Sequence, residues 1–116
     1  QHEEVRHQLA ESLQAIISLR LLPKADGTGR VPAAEVMINT PTIKEYLVDV
    51  DKSSMIESAI ADGHMQYRSQ TFDQSLYKLL QDGLITRDEA LRNATNPDDF
   101  ELRLSGIQGA SSRAWN

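Results

Sequence analysis

From Glu3 onward apolar residues recur at three- and four-residue spacing, at Val5, Leu9, Leu13, Ile16 and Ile17, with Arg6, Gln8, Glu11 and Gln14 between them. That period puts one apolar stripe on a helix and predicts a first helix over residues 3–19. Two apolar runs follow, Leu19–Ala25 and Val31–Asn39, broken by the turn cluster Asp26-Gly27-Thr28-Gly29. They predict a strand hairpin over residues 19–39. In its second arm Val31, Ala33 and Glu35 alternate poorly with Pro32, Ala34 and Val36, as in a strand covered on both faces or lying at a sheet border.

The pattern then turns helical, over residues 40–107. Thr40-Pro41 suits a helix start, with the hydroxyl as cap and proline where its missing N–H costs nothing, and Ile43, Tyr46 and Leu47 share the face that follows. Ser54 with Glu57, Thr71 with Gln74 and Thr86 with Glu89 each have capping-box spacing, so helices are expected over Ser54–Ala61, Phe72–Gln81 and Arg87–Asn93. Asn96-Pro97-Asp98-Asp99 opens a last helix holding Phe100, Leu102 and Leu104, its acids placed at the positive end. The small, polar run that closes the chain predicts a loose tail over residues 108–116. The fold class is therefore α+β and mostly helical: a helix, a two-strand hairpin, then four or five short helices. Two strands alone make no stable sheet, so the hairpin is expected to continue one whose other strands lie outside this sequence.

Composition narrows the possibilities. With 116 residues, 40% hydrophobic and 25% charged, the chain is sized for about one domain with one modest core. A net charge of −5 with scattered basic residues argues against a nucleic-acid groove, which needs a clustered cationic face. No apolar run is long enough to span a bilayer and no charged-then-apolar leader opens the sequence, so a cytoplasmic location is expected. Without cysteine, thiolate catalysis and Cys-ligated zinc are excluded.

Candidate chemistry is sparse. His2, His7 and Glu3 lack a visible third metal ligand, and His64, in Asp62-Gly63-His64-Met65, reads as a loop residue. The acid pairs Asp88-Glu89 and Asp98-Asp99 fall in first helical turns, where they complement the helix dipole. No serine sits in a G-x-S-x-G elbow. The segment Lys24-Ala25-Asp26-Gly27-Thr28-Gly29-Arg30 lacks the G-x-x-x-x-G-K-[ST] spacing of a phosphate loop and leads into a strand, so it reads as a hairpin corner.

Two long blocks do carry a resemblance. The stretches LAESLQAIISLRLLPKADGTGRVPAAEVMINTP and QTFDQSLYKLLQDGLITRDEALRNATNPDDF resemble, in the same order, the type IV pilus retraction ATPases, the PilT/PilU branch of the secretion ATPases. The resemblance implies that residues 1–107 form the C-terminal part of a RecA-like α/β ATPase domain. It further implies a parent that is a homohexameric motor using ATP and Mg to retract pili in twitching motility, cytoplasmic and peripheral to the inner membrane through the pilus machinery. The family's Walker A, aspartate, Walker B and histidine boxes have no counterpart here, so no catalytic, cofactor-binding or metal residue is assigned and the chain by itself is expected to be inactive. The absent cysteines favour the retraction branch over relatives that carry a tetracysteine motif.

The family's retraction helix, written AIRNLIRE, falls on Thr42, Ile43, Lys44, Glu45, Tyr46, Leu47, Val48 and Asp49. Ile43 and Leu47 keep its apolar positions and Lys44 keeps a positive charge, whereas Val48 stands for an arginine and Asp49 for the final glutamate. On this reading Ile43 and Leu47 pack while Lys44 and Glu45 face solvent or a neighbouring subunit. Two alternatives stay open: a stand-alone interaction module binding through Phe72, Leu76 and Leu79, and a nucleotide binder using Lys24, Gly27 and Gly29.

Overall fold

The computed structural model describes residues 2–12 and 14–106, and shows α1 (His2–Ser12), β1 (Ala15–Pro23), β2 (Arg30–Ile38), α2 (Pro41–Val48), a 3-10 turn (Val50–Met55), α3 (Ile56–Asp62), α4 (His64–Tyr67), α5 (Phe72–Gln81), α6 (Arg87–Asn93) and α7 (Pro97–Leu104). Leu13, the side chain of His2 and the tail expected at 108–116 lie outside the described residues. The class is α+β and mostly helical, with a two-stranded antiparallel sheet. The 3-10 turn and α4 are short helical pieces that capping and periodicity did not announce.

The first helix stops sooner than its stripe predicts. It ends at Ser12, and Ala15–Pro23 is strand, so the expected helix over 3–19 and the strand start at Leu19 are both corrected. Ile16 and Ile17 fit the helical spacing, but Ile17, Leu19 and Leu21 also alternate with Ser18 and Arg20, and pairing with β2 selects the period of two. The stripe is not the buried face either. Val5 and Leu9 are about half exposed, while Ala10 is buried and the Asn39 side-chain amide donates to its carbonyl at 2.8 Å.

The hairpin closes through Lys24 N–H on the Gly29 carbonyl at 2.9 Å, and Asn39 N–H reaches the Gln14 carbonyl at 2.9 Å beyond the other end. Both bonds belong to one register, which sets Leu22 opposite Val31 and Leu21 opposite Pro32. On β2 the N–H of Ala34 instead donates to Ser75 Oγ at 3.0 Å, and Val36 exchanges both backbone bonds with Gln70. Pro32 lies on that same outward side of the ladder, where a missing N–H breaks no β1–β2 bond.

Two compact units result, where composition predicts one modest core. One comprises residues up to Ile17 together with Val36–Thr71; the other comprises Ser18–Glu35 and the chain from Phe72 on. In the first, Met37, Ile43 and Ile60 are buried, with Leu47, Ile56 and Ala59 packed against them. In the second, Leu22, Ala33, Leu76, Ile85, Ala90 and Phe100 are buried beneath a wider apolar shell that includes Val31, Phe72, Tyr77 and Leu79. The face of Phe72, Leu76 and Leu79, suggested as a binding surface, is therefore internal to this unit.

The helix starts show which caps formed. Thr40 Oγ1 accepts from Ile43 N–H, Thr86 Oγ1 from Glu89 N–H and Asn96 Oδ1 from Asp99 N–H. Ser54 caps nothing: α3 begins two residues later, after Met55, with no side-chain cap bond. The turn is initiated upstream, where Asp49 Oδ1 accepts from Asp51 N–H at 3.0 Å, and the 3-10 segment runs on into α3. Asp73, buried in the first turn of α5, accepts from Thr95 N–H at 2.7 Å and Asn96 N–H at 3.0 Å. One carboxylate thus holds the chain entering α7.

Candidate functional site

The eight residues matched to the retraction helix occupy α2 and its C-cap. Thr40 and Pro41 start this helix, and the buried Ile43 with Leu47 one turn on anchors its apolar side against Ile60 and Ala59. Glu45 stands exposed, Lys44 is half-buried, and Thr42 is exposed at the first turn. Lys52 Nζ lies 2.8 Å from Glu45 Oε1. That hydrogen bond, reinforced by the carboxylate's charge, raises the Lys52 pKa above its ordinary 10.5.

The far end of α2 meets a cation from α1. Arg6 directs its guanidinium to the Val48 carbonyl at 3.5 Å and to Ser53 Oγ at 3.2 Å. A positive charge there complements the negative end of the helix dipole, and its N–H reaches the carbonyl of the last helical residue. Nothing in the sequence announced this pairing, because the partners lie more than forty residues apart. Beside it a groove of about 980 Å³ is lined by Glu3, Val5, Arg6 and Val48–Asp51.

On its other flank α2 borders a cavity of about 500 Å³. Ile38, Met55 and Ala59 contribute apolar surface over the buried Ile43 and Ile60; Tyr46 and Tyr67 contribute rings and hydroxyls; Thr42, Ser54 and Ser58 add hydroxyls and Asp62 a carboxylate. Thr42, Ile43 and Tyr46 of the motif thus meet residues from the 3-10 turn, α3 and α4. Sequence reading did not gather the serines and Tyr67 to this place, since their spacing has no common period.

The remaining candidates are structural. In the glycine segment Gly27 and Gly29 take φ of +76° and +130°, and Asp26 Oδ1 accepts from both N–H and Oγ1 of Thr28. The Thr28 hydroxyl, then its N–H, hold the fully exposed Asp26 carboxyl below its ordinary pKa of 3.8. Its backbone is that of a hairpin turn, where positive φ demands glycine. His64 opens α4, with Nδ1 2.8 Å from the Ser69 carbonyl, which requires that nitrogen to be the donor. His7 is exposed. Among the described residues no group of three or more His, Asp or Glu could hold a metal, and no helix is long and apolar enough to cross a membrane.

No family model matches the chain. Individual proteins do. It is 40% identical over 100 residues to the twitching motility protein of Neisseria gonorrhoeae, covering 86% of this chain and 26% of that one. It is 44% identical over 96 residues to the type IV pilus retraction ATPase PilT of Pseudomonas aeruginosa (83% and 27%), and 32% identical over 103 residues to PilU of the same organism (89% and 26%). The fold matches the crystal structure of the pilus retraction motor PilT with bound ADP at a TM-score of 0.67 and 38% identity, over 87% of this chain and 27% of that one. The chain spans about a quarter of the length of these relatives. Matched in sequence and in fold over most of its own length, it belongs to the PilT/PilU family of pilus ATPases, whose C-terminal part it represents.

Proposed function

We propose that this chain serves as the C-terminal segment of a hexameric ATPase motor that powers type IV pilus retraction, contributing subunit contacts and the retraction helix while phosphate chemistry is carried elsewhere in the parent. The observation that carries the reading is the continuous match to PilT, 44% identical over 96 residues, joined to a TM-score of 0.67 against the PilT motor. The division of labour is supported by the sequence, which contains no phosphate loop, and by the hairpin geometry of its glycine segment. ATP and Mg belong to the parent on this view, bound outside these residues. The parent works in the cytoplasm, held at the inner membrane by the pilus machinery.

The α2 helix suits a contact role because its apolar side is anchored while its polar residues remain accessible. Ile43 is buried, yet Thr42 and Glu45 are exposed on the same eight-residue helix. The test places Thr42→Ala/Glu45→Ala in the full-length parent and measures ATP hydrolysis and twitching in a strain lacking its retraction ATPase. Hydrolysis is expected to persist while twitching falls at least severalfold. A parent without ATPase activity would sink the motor reading; unchanged twitching would remove α2 from it.

A further inference from the structure

We propose that the cavity beside α2 is a guanidinium site, which takes an arginine side chain from an extended segment of a partner protein. The chemistry of its lining selects that group. Thr42, Ser54, Ser58 and Tyr67 bring hydroxyl oxygens, Gln66 an amide and Asp62 a carboxylate, whereas among the described residues no lysine, arginine or histidine lines the space. The hydroxyls and the amide can each accept as well as donate, the carboxylate only accepts, and the wall holds one negative charge, so a phosphate or carboxylate would find no compensating cation among the described residues. A guanidinium, with five N–H donors in a planar fork and a permanent positive charge, is the side chain that matches it.

The rest of the arginine side chain fits as well. Its three-carbon stem is apolar and lies favourably along the accessible surface given by Ile38, Met55 and Ala59, with the head group left toward the polar lining residues. Tyr46 and Tyr67 supply ring faces, to which a guanidinium is attracted. The volume of about 500 Å³ exceeds one side chain and leaves room for flanking backbone of the incoming segment. The field favours the same sign of charge: this unit's residues include eight acids against four lysines and arginines.

The test is direct and does not need the motor activity. The ¹⁵N-labelled 116-residue chain is titrated with Nα-acetyl-arginine N-methylamide, with the isosteric but uncharged citrulline analogue, and with inorganic phosphate. Saturable shifts are expected at Thr42, Tyr46, Asp62 and Tyr67 for the arginine compound, with affinity about tenfold above citrulline, the scale of one charge-assisted hydrogen bond. Asp62→Asn, at an exposed position, removes that preference, and Ser58→Phe, which fills the cavity, removes binding of both. Equal affinity for citrulline, displacement by phosphate at the same residues, or no saturable shift overturns the proposal. If these residues shift on simple dilution of the chain, the occupant is a second copy and the assignment to a separate partner fails.

Discussion

The unit built around Ile43 and the unit built around Phe100 differ in how they use apolar surface. Around Phe100, six buried residues are wrapped by a shell of partly buried ones, Tyr77 meets the Phe100 ring edge-on at 6.3 Å, and Arg20 covers the Phe72 ring at 4.1 Å. Around Ile43, three buried residues suffice, while Val5, Leu9, Val50, Met55 and Met65 stay exposed on surrounding elements. The first arrangement, with Leu19, Leu21 and Leu102 exposed, uses most of its large hydrophobic residues to hold itself together. The second leaves them, together with the two grooves along α2, on the outside.

Charge follows the same division. The Ile43 unit has eight acids and four basic residues in sequence, the Phe100 unit nine and eight. In the latter, opposite charges meet along helices, as in Arg92 with Glu89 at 2.9 Å and Arg103 with Asp99 at 3.3 Å. Surface pairs of this kind contribute little stability each, but they neutralise the surface. A thin core, a surplus of negative charge and open grooves suit an interaction surface, and a thicker core with nearly balanced charge suits a scaffold.

The largest effects should come from the two cores. Phe100→Ala removes a fully buried ring and is expected to cost about 4 kcal/mol, whereas Ile43→Ala should cost about 2–3 kcal/mol because fewer neighbours lose contacts. Urea denaturation measures both, and hydrogen exchange shows where protection is lost. An Ile43→Ala cost equal to that of Phe100→Ala would break the contrast between thick and thin cores. Next comes the polar anchor of the Phe100 unit. Asp73→Ala leaves two N–H groups without their acceptor and is expected to cost about 3 kcal/mol, and Asp73→Asn, with one acceptor oxygen in place of two, about half of that.

Smaller effects test the hairpin tip. Gly29, at φ of +130°, should lose about 1–2 kcal/mol on change to alanine, although an added Cβ would touch nothing within 4 Å, because the penalty is in the backbone. Thermal unfolding reads this shift, and an unchanged midpoint would argue against the turn geometry. The smallest effect is that of Asp26. Its folded pKa is depressed, so its contribution is present above the ordinary 3.8 and is lost as pH falls through the folded value. Thr28→Val should move the carboxyl titration of Asp26, followed by NMR, up toward that ordinary value.

Local signals in the sequence were strong where a single residue type answers a single backbone need. Thr40-Pro41, Thr86 and Asn96 mark helix starts, and Asp26-Gly27-Thr28-Gly29 marks the hairpin turn, because caps and positive φ are satisfied within a few residues. The family resemblance also lay within the sequence, since two long blocks in one order specify more than any short motif. Position-specific periodicity was weaker: Ile16 and Ile17 suit a helix stripe and a strand equally, and only pairing with β2 decides between them.

What depended on tertiary structure involved residues far apart along the chain. Sequence order does not tell that Arg6 caps the end of α2, that Asp73 holds Thr95 and Asn96, or that Tyr67 and Ser58 share a cavity with Thr42. Nor could composition show that one chain of 116 residues would divide its apolar side chains between two cores. Capping and turn chemistry are settled by neighbours in sequence, whereas burial and charge pairing are settled by whichever surfaces the folded chain brings together, and that choice made Leu76 core, packed Phe72 against it and left the polar side of α2 exposed.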